Sequence, residues 1–201
     1  MFAWGSNGSG QLGDSTITNN SSPVQIGSSS WTAISSGSYV TGGIRTDNLL
    51  YNWGVAINGQ LGLGGSTAPN PATVGDKSSP VLLGSNAISN QSSPVQVGSS
   101  SWTAVSCGKY HTAGIISSGT LFTWGFGSSG QLGDSTNTNR SSPTQIGSSS
   151  WTAVSAGFSH TAAIRSGGTL FTWGLGSLGR LGDGTRSEEH TSELQSRFGI
   201  S

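Results

Sequence analysis

Tryptophan recurs in this chain at a fixed interval, and that interval restricts the fold more than any other feature. Trp4, Trp53, Trp124 and Trp173 are each followed by glycine, while Trp31, Trp102 and Trp151 each stand inside SSSWTA. Within both series the step is 49 residues, apart from one step of 71 that carries 22 extra residues between Gln60 and Trp102. A period of this size belongs to propeller blades or solenoid units, in which each unit buries its apolar face against the next.

One unit reads from Ser142 to Gly174. SPTQIG, WTAVSAG, HTAAIR and TLFTWG are four short runs punctuated by Gly, Ser and Pro, the pattern of strands and turns. Four short strands in roughly 50 residues match one antiparallel blade of a β-propeller. The small residues of AVSAG suit strands crowded near a central axis, and all seven tryptophans are expected to lie buried between blades. The turn before the Trp-Gly strand is Ser118-Gly119 in one copy, Gly167-Gly168 in another and Asp47-Asn48 in a third. Asn is the non-glycine residue that best accepts positive φ, so the turn is expected to persist despite the change of letters.

Charged residues are only 8% of the chain and glycines number 33, which alone would fit a flexible linker. Seven Trp and six Phe do not, because disordered segments are poor in large aromatics. The formal net charge is zero, so nucleic acid is not indicated as a partner. No stretch approaches the length of a membrane span. Cys107 is the lone cysteine, so no intrachain disulfide can form.

VSCGKYHTAGI (Val105 to Ile115) and VSAGFSHTAAI (Val154 to Ile164), each followed by a GTLFTWG run, resemble the signature of the regulator of chromosome condensation repeat family. The resemblance covers about residues 2 to 185. The first copy, ISSGSYVTGGI, departs from it by carrying Val40 where the others have His111 and His160. Kelch-type propellers share a similar period, but their paired glycines with spaced Tyr and Trp are not repeated here, and the WD dipeptide of another propeller family is absent. The resemblance implies an all-β fold: a partial β-propeller of about three and a half four-stranded blades, a fragment of a seven-bladed ring. It implies a non-enzymatic protein-interaction scaffold with a protein partner. The alternatives are a regulator of a small GTPase of the guanine-nucleotide exchange type, as in the family's founder, and a virion or cell-surface binding protein.

Candidate chemistry is thin. Gly8-x-Gly10-x-x-Gly13, Gly125-x-Gly127-x-x-Gly130 and Gly174-x-Gly176-x-x-Gly179 match the dinucleotide fingerprint, but each leads into another loop where a genuine one opens a helix. They are expected to be structural turns, with no cofactor. Asp14, Asp134 and Asp183 each supply one carboxylate to a loop, too few for a calcium site and suited to an Asx-type turn. His111 and His160, recurring with the Trp positions Trp31, Trp53, Trp102, Trp124, Trp151 and Trp173, are expected to hold the repeat together by hydrogen bonding backbone, with no catalytic role and no metal. Cys107 takes the place of Ser36 and Ala156 and is expected to be small and buried. The segment from Leu63 to Gln91, which carries the 22 extra residues, is the candidate partner-binding loop, with Asn70, Asp76, Lys77, Leu82, Leu83 and Asn86 as its candidate contacts. Long loops carry function more often than scaffolds do; a tolerated surface insertion is the other reading.

The two ends break the pattern. MFAWG aligns with LFTWG at Leu121 to Gly125, placing Met1 inside a blade's strand. Glu188, Glu189 and Glu193 are the only glutamates in the protein, and residues 186–201 resemble a sequencing adapter translated in frame. The expected organisation is therefore residues 1–185 as repeats cut at both ends, and 186–201 as a non-native tail. The competing reading is a capping helix started by Ser187.

Overall fold

In the computed structural model, which describes residues 1–64 and 90–183, short antiparallel strands follow one another in four sheets. β1 (Phe2–Gly5) and β2 (Asn20–Gln25) form the first. β3 (Trp31–Ser36), β4 (Val40–Arg45), β5 (Leu50–Gly54) and β6 (Gln91–Gln96) form the second, in chain order. β7 (Trp102–Cys107), β8 (His111–Ile116), β9 (Leu121–Gly125) and β10 (Arg140–Gln145) form the third, and β11 (Trp151–Ala156), β12 (His160–Arg165) and β13 (Leu170–Gly174) the fourth. The fold is almost all-β, with four-stranded antiparallel meanders and partial sheets at either end of the series.

The blade boundary differs from the unit Ser142–Gly174. β10 pairs with β9 of the preceding repeat, Thr144 opposite Thr123 and Gln145 opposite Phe122, and not with β11. The cause lies in the link between β10 and β11. It runs along the previous sheet, with Ile146 N donating to Leu121 O at 2.9 Å and Trp151 N to Gly119 O at 2.8 Å. The chain is thereby carried from the outer edge of one sheet to the first strand of the next. β3 packs on β7 and β7 on β11, so the first strands are the crowded ones, as their small residues require. There Cys107 N donates to Ser35 Oγ at 2.9 Å and Ala156 N to Ser106 Oγ at 2.8 Å, joining neighbouring sheets. Asn48 has φ 62°, alongside 83° at both Gly119 and Gly168, so the Asp-Asn turn keeps the left-handed residue that its glycine counterparts supply.

Aromatic clusters fill the spaces between sheets. Trp102 meets Phe122 and Trp124 edge-on at centroid distances of 5.8 and 5.6 Å, and Trp151 meets Phe171 and Trp173 at 5.6 and 6.0 Å. Edge-to-face pairs contribute about 0.5–1.5 kcal/mol beyond their area burial. Trp102 and Trp124 cover Ile44 and Leu50 of the preceding sheet, while Trp151 and Trp173 cover Ile115 and Leu121. Two tryptophans depart from the expected burial. Trp4 is 59% exposed, because among the described residues no sheet lies on its outer side. Trp31 is half-buried: the two-stranded first sheet lacks counterparts of β3 and β4, and an open groove of about 250 Å³ between Ile26, Trp31, Arg45 and Tyr51 takes their place. Cys107 is buried, and desolvation pushes its thiol up to about 12.

Candidate functional site

Each sheet after the first seats a tryptophan on the loop of the sheet before it. Trp53, Trp124 and Trp173 donate Nε1–H to the backbone carbonyls of Gln11, Gln60 and Gln131, each at 3.0 Å. The same three carbonyls accept the hydroxyls of Thr41, Thr112 and Thr161 at 2.8, 2.9 and 2.8 Å. Beneath each indole lies a glycine with positive φ. A Cβ added at Gly13, Gly62 or Gly133 would stand 2.6, 2.7 or 2.5 Å from that Nε1. Only glycine allows this approach. The fingerprint-like glycines thus build turns, Gly10 N to Asn7 O and Gly13 N to Gly10 O in the first copy, whose product is an indole seat.

His111 is fully buried and bridges two sheets, its Nε2 lying 2.9 Å from Thr161 Oγ1. The expected backbone partner is replaced by this hydroxyl. Thr161 spends its single proton on Gln131 O, so His111 Nε2 must be the donor and the ring is the neutral Nε2–H tautomer. Desolvation, with the nearby His160 second, holds its pKa down to about 4. Val40 fills the same register position opposite Gly54, as His111 does opposite Gly125 and His160 opposite Gly174.

The aspartate loops satisfy themselves. Asp14 Oδ1 accepts Thr16 N and Oγ1 at 3.0 and 2.8 Å and Asn7 Nδ2 at 3.0 Å, and Oδ2 accepts Asn20 Nδ2 at 3.0 Å. Partial burial pushes this carboxyl up, but the Thr16 and Asn7 hydrogen bonds together outweigh it and leave the pKa lowered. Asp134 caps Thr136 likewise and pairs with Arg140 Nε at 2.6 Å. These are Asx turns. Among the described residues no three His, Cys, Asp or Glu side chains gather where a metal could sit.

A row of rings lines one end of the sheets. In the second, third and fourth sheets the first two strands join through a turn closed by Gly37 N to Val40 O, Gly108 N to His111 O and Gly157 N to His160 O, each 2.8 Å. The two residues inside each turn are Ser38-Tyr39, Lys109-Tyr110 and Phe158-Ser159, so every turn carries one ring. Tyr39 stacks on Tyr110 across the sheet interface, centroids 5.5 Å apart and planes at 13°. Tyr110 meets Phe126 at 6.1 Å. Lys109 Nζ lies 4.9 Å from the Tyr110 centroid and 4.0 Å from that of Phe158, bridging two rings by cation–π attraction. Tyr39 and Phe158 remain 37% and 55% exposed. Turns normally carry Gly, Asn, Asp or Ser. The available sequence signal was a ring in every Gly-x-x-(His/Val) turn, and period-based reading passes over it.

Of the sequence-derived candidates, Trp53, Trp102, Trp124, Trp151, Trp173 and His111 lie buried between sheets and His160 is half-buried. Asn70, Asp76, Lys77, Leu82, Leu83 and Asn86 lie outside the described residues, as does the 186–201 segment. The residues bounding the long connection are described. Gly64 N donates to Ser141 O at 2.8 Å, and Asn90 Oδ1 accepts Ala56 N at 3.2 Å. Asn90 sits at the Gly54–Gln91 end of the second sheet and Gly64 beside the Gly125–Arg140 end of the third, the ends that carry the aromatic turns.

Two family models, both described as Regulator of chromosome condensation (RCC1) repeat, match the chain: one at residues 1–44, 47–115 and 118–164, the other at 102–131 and 151–180. The ultraviolet-B receptor UVR8 of Arabidopsis thaliana is 31% identical over 134 residues, 65% of this chain and 26% of its own length. The probable E3 ubiquitin-protein ligase HERC3 of Homo sapiens is 30% identical over 140 residues, 66% of this chain and 11% of its own. Among solved structures, human WBSCR16 superposes with a TM-score of 0.71 at 22% identity, over 94% of this chain and 46% of that one. Yeast RCC1 (Prp20), solved with Kap60 bound to it, superposes with a TM-score of 0.75 at 19% identity, over 96% and 43%. The chain spans about a quarter or less of the length of these curated relatives and less than half of these solved chains.

Proposed function

The chain belongs to the regulator of chromosome condensation repeat family, and we propose that it works as a non-enzymatic protein-interaction scaffold whose contact surface is the aromatic turn row. The observation that carries this reading is the alignment of Tyr39, Tyr110, Phe126 and Phe158 with Lys109 across three consecutive sheets, partly exposed. Packing inside the sheets does not require it, since the aromatic clusters of the core are built from other residues. Exposed aromatics gathered with a cation mark interaction sites, and rings held by stacking lose little entropy on binding. Lys109 is the only formal charge in the row, which favours a protein segment with an apolar or aromatic side chain beside a carboxylate. The long connection between β5 and β6 leaves and returns at the end of the second sheet that carries the row. The ligase activity named for HERC3 belongs to a protein of which this chain covers 11%, and it is not carried over.

The test is a displayed-peptide selection on the wild-type chain and on a Tyr39→Ser, Tyr110→Ser, Phe158→Ser triple variant. Wild type is expected to enrich a related set of sequences carrying an aromatic next to Asp or Glu, and the variant to lose them. Enrichment of the same sequences by both proteins removes the row as the contact surface.

A further inference from the structure

The motif Ser-Ser-Pro recurs on the outermost strand of three consecutive sheets. Ser21-Ser22-Pro23 lies in β2, Ser92-Ser93-Pro94 in β6 and Ser141-Ser142-Pro143 in β10. In each strand the pairing register breaks at the same place. Gln91 faces Gly54 and Val95 faces Asn52, so Ser92, Ser93 and Pro94 stand opposite the single residue Trp53. Residues 141–143 stand opposite Trp124, and 21–23 opposite Trp4, in the same way. Extra residues on one strand make a bulge, which bends that strand and interrupts its ladder.

The prolines of β6 and β10 face away from their sheets. Val97 N donates to Leu50 O at 2.7 Å and Ile146 N to Leu121 O at 2.9 Å, so residues 97 and 146 turn their N–H inward. Backbone groups of an antiparallel strand point to alternate sides along its length. Val95 and Thr144 therefore also point inward, and Pro94, Gln96, Pro143 and Gln145 point outward. The nitrogen that a further strand would need as a donor is the one that carries no hydrogen. On the N-terminal side of each proline a loop of the preceding sheet is already in place. Ser15 N donates to Ser92 O and Gly64 N to Ser141 O, both at 2.8 Å. These loops press so closely that a Cβ added at Gly10 would stand 2.5 Å from Ser92 Cα, and one at Gly59 2.6 Å from Ser141 Cα. On the C-terminal side the chain turns off the strand at Gly98 and Gly147, with φ of 60° and 58°. Gln96 Nε2 and Gln145 Nε2 donate to the carbonyls of these glycines at 2.7 and 2.9 Å. Between proline and glycine only Gln96 or Gln145 still points a backbone N–H outward, and a single residue does not make a ladder.

We infer that the Ser-Ser-Pro bulges seal the outermost strands against strand addition, so that neither a second copy of this chain nor an extended peptide can lengthen these sheets by edge pairing. An outermost strand is otherwise a template for another chain, and the repeat places one on each successive sheet. The seal draws on two repeats at once, the proline of one and the loop of the repeat before it. It is independent of the aromatic row, which lies at the sheet ends and not along their edges.

Sedimentation velocity on the full 201-residue chain compares wild type with a Pro94→Val, Pro143→Val double variant over a concentration series. The double variant is expected to associate at concentrations about tenfold or more below those wild type needs, with hydrogen exchange at Gln96 and Gln145 slowing as it does so. Thr144→Val adds the same side chain at a residue whose N–H already points into the ladder, and it is expected to behave as wild type. A double variant that associates no more readily than wild type would overturn the proposal. An equal gain in Thr144→Val would assign the effect to added apolar surface and overturn it as well. Wild type supplies a second readout that does not depend on the folding of the double variant. Its Gln96 and Gln145 amides are expected to exchange at a rate independent of protein concentration, and slowing with concentration would show that a strand adds there and that the edges are not sealed.

Discussion

Lowering the pH from about 7 to about 4 should destabilise this protein by an amount set chiefly by His111. In the folded chain its ring is fully buried, donates to Thr161 Oγ1, and has Nδ1 without a partner, so a second proton would place an uncompensated charge between two sheets. Its pKa is held at about 4 against an ordinary 6.5. The unfolded chain thus takes up a proton near 6.5 and the folded chain only near 4. The stabilisation is complete above 6.5, falls as the pH is lowered through that window, and is gone below about 4. The gap corresponds to roughly 3 kcal/mol. Asp14, with a lowered pKa, contributes only below its ordinary 3.8, outside the window. His160, lowered by desolvation and then by Arg180, is half-exposed and adds a shallower slope. His111→Val, a change already present at Val40, isolates the term. Its cost at neutral pH should stay within about 2 kcal/mol, and most of the acid sensitivity should disappear. Denaturant midpoints for both proteins at several pH values measure this. Equal slopes for wild type and variant between pH about 6.5 and about 4 would refute the assignment of a buried neutral ring.

Two further expectations rest on the same interfaces. Gly133→Ala should cost roughly 2–4 kcal/mol, about 1–2 for a left-handed non-glycine backbone and about 1 or more for the displaced Trp173 hydrogen bond. Gly147→Ala, at a φ of 58° and with none of the described residues within 4 Å of the added carbon, should cost only the backbone part, and equal losses in equilibrium denaturation would contradict the seat geometry. Cys107, buried and with its thiol pushed up to about 12, should resist a maleimide at mildly alkaline pH in the folded protein and react promptly in denaturant; equal rates would show that the first strands are not packed as described.

Local chemistry was enough to read much of this protein. The Trp period, the alternating runs and the Gly, Ser and Pro between them determined the strands, because each depends on residues within one short segment. Asp47-Asn48 could be recognised as a turn because φ > 0 is a single-residue property, and Asp14 and Asp134 as Asx turns because their partners lie two residues away. The pairing of β10 with β9 could not be read this way, since it is set by a link that Ile146 N ties to Leu121 O of the previous sheet. The exposure of Trp4 and Leu170, 59% and 61%, was equally hidden: their sequence contexts match Trp53 and Leu121, and among the described residues only a neighbouring sheet separates a buried residue from a bare one. The anchors of the sheet interfaces are the carbonyls of Gln11, Gln60 and Gln131, and a backbone carbonyl has no letter in the sequence. The row of Tyr39, Tyr110 and Phe158 exists only because sheets some 50–70 residues apart in sequence place their first turns side by side, and that proximity is a property of the tertiary fold.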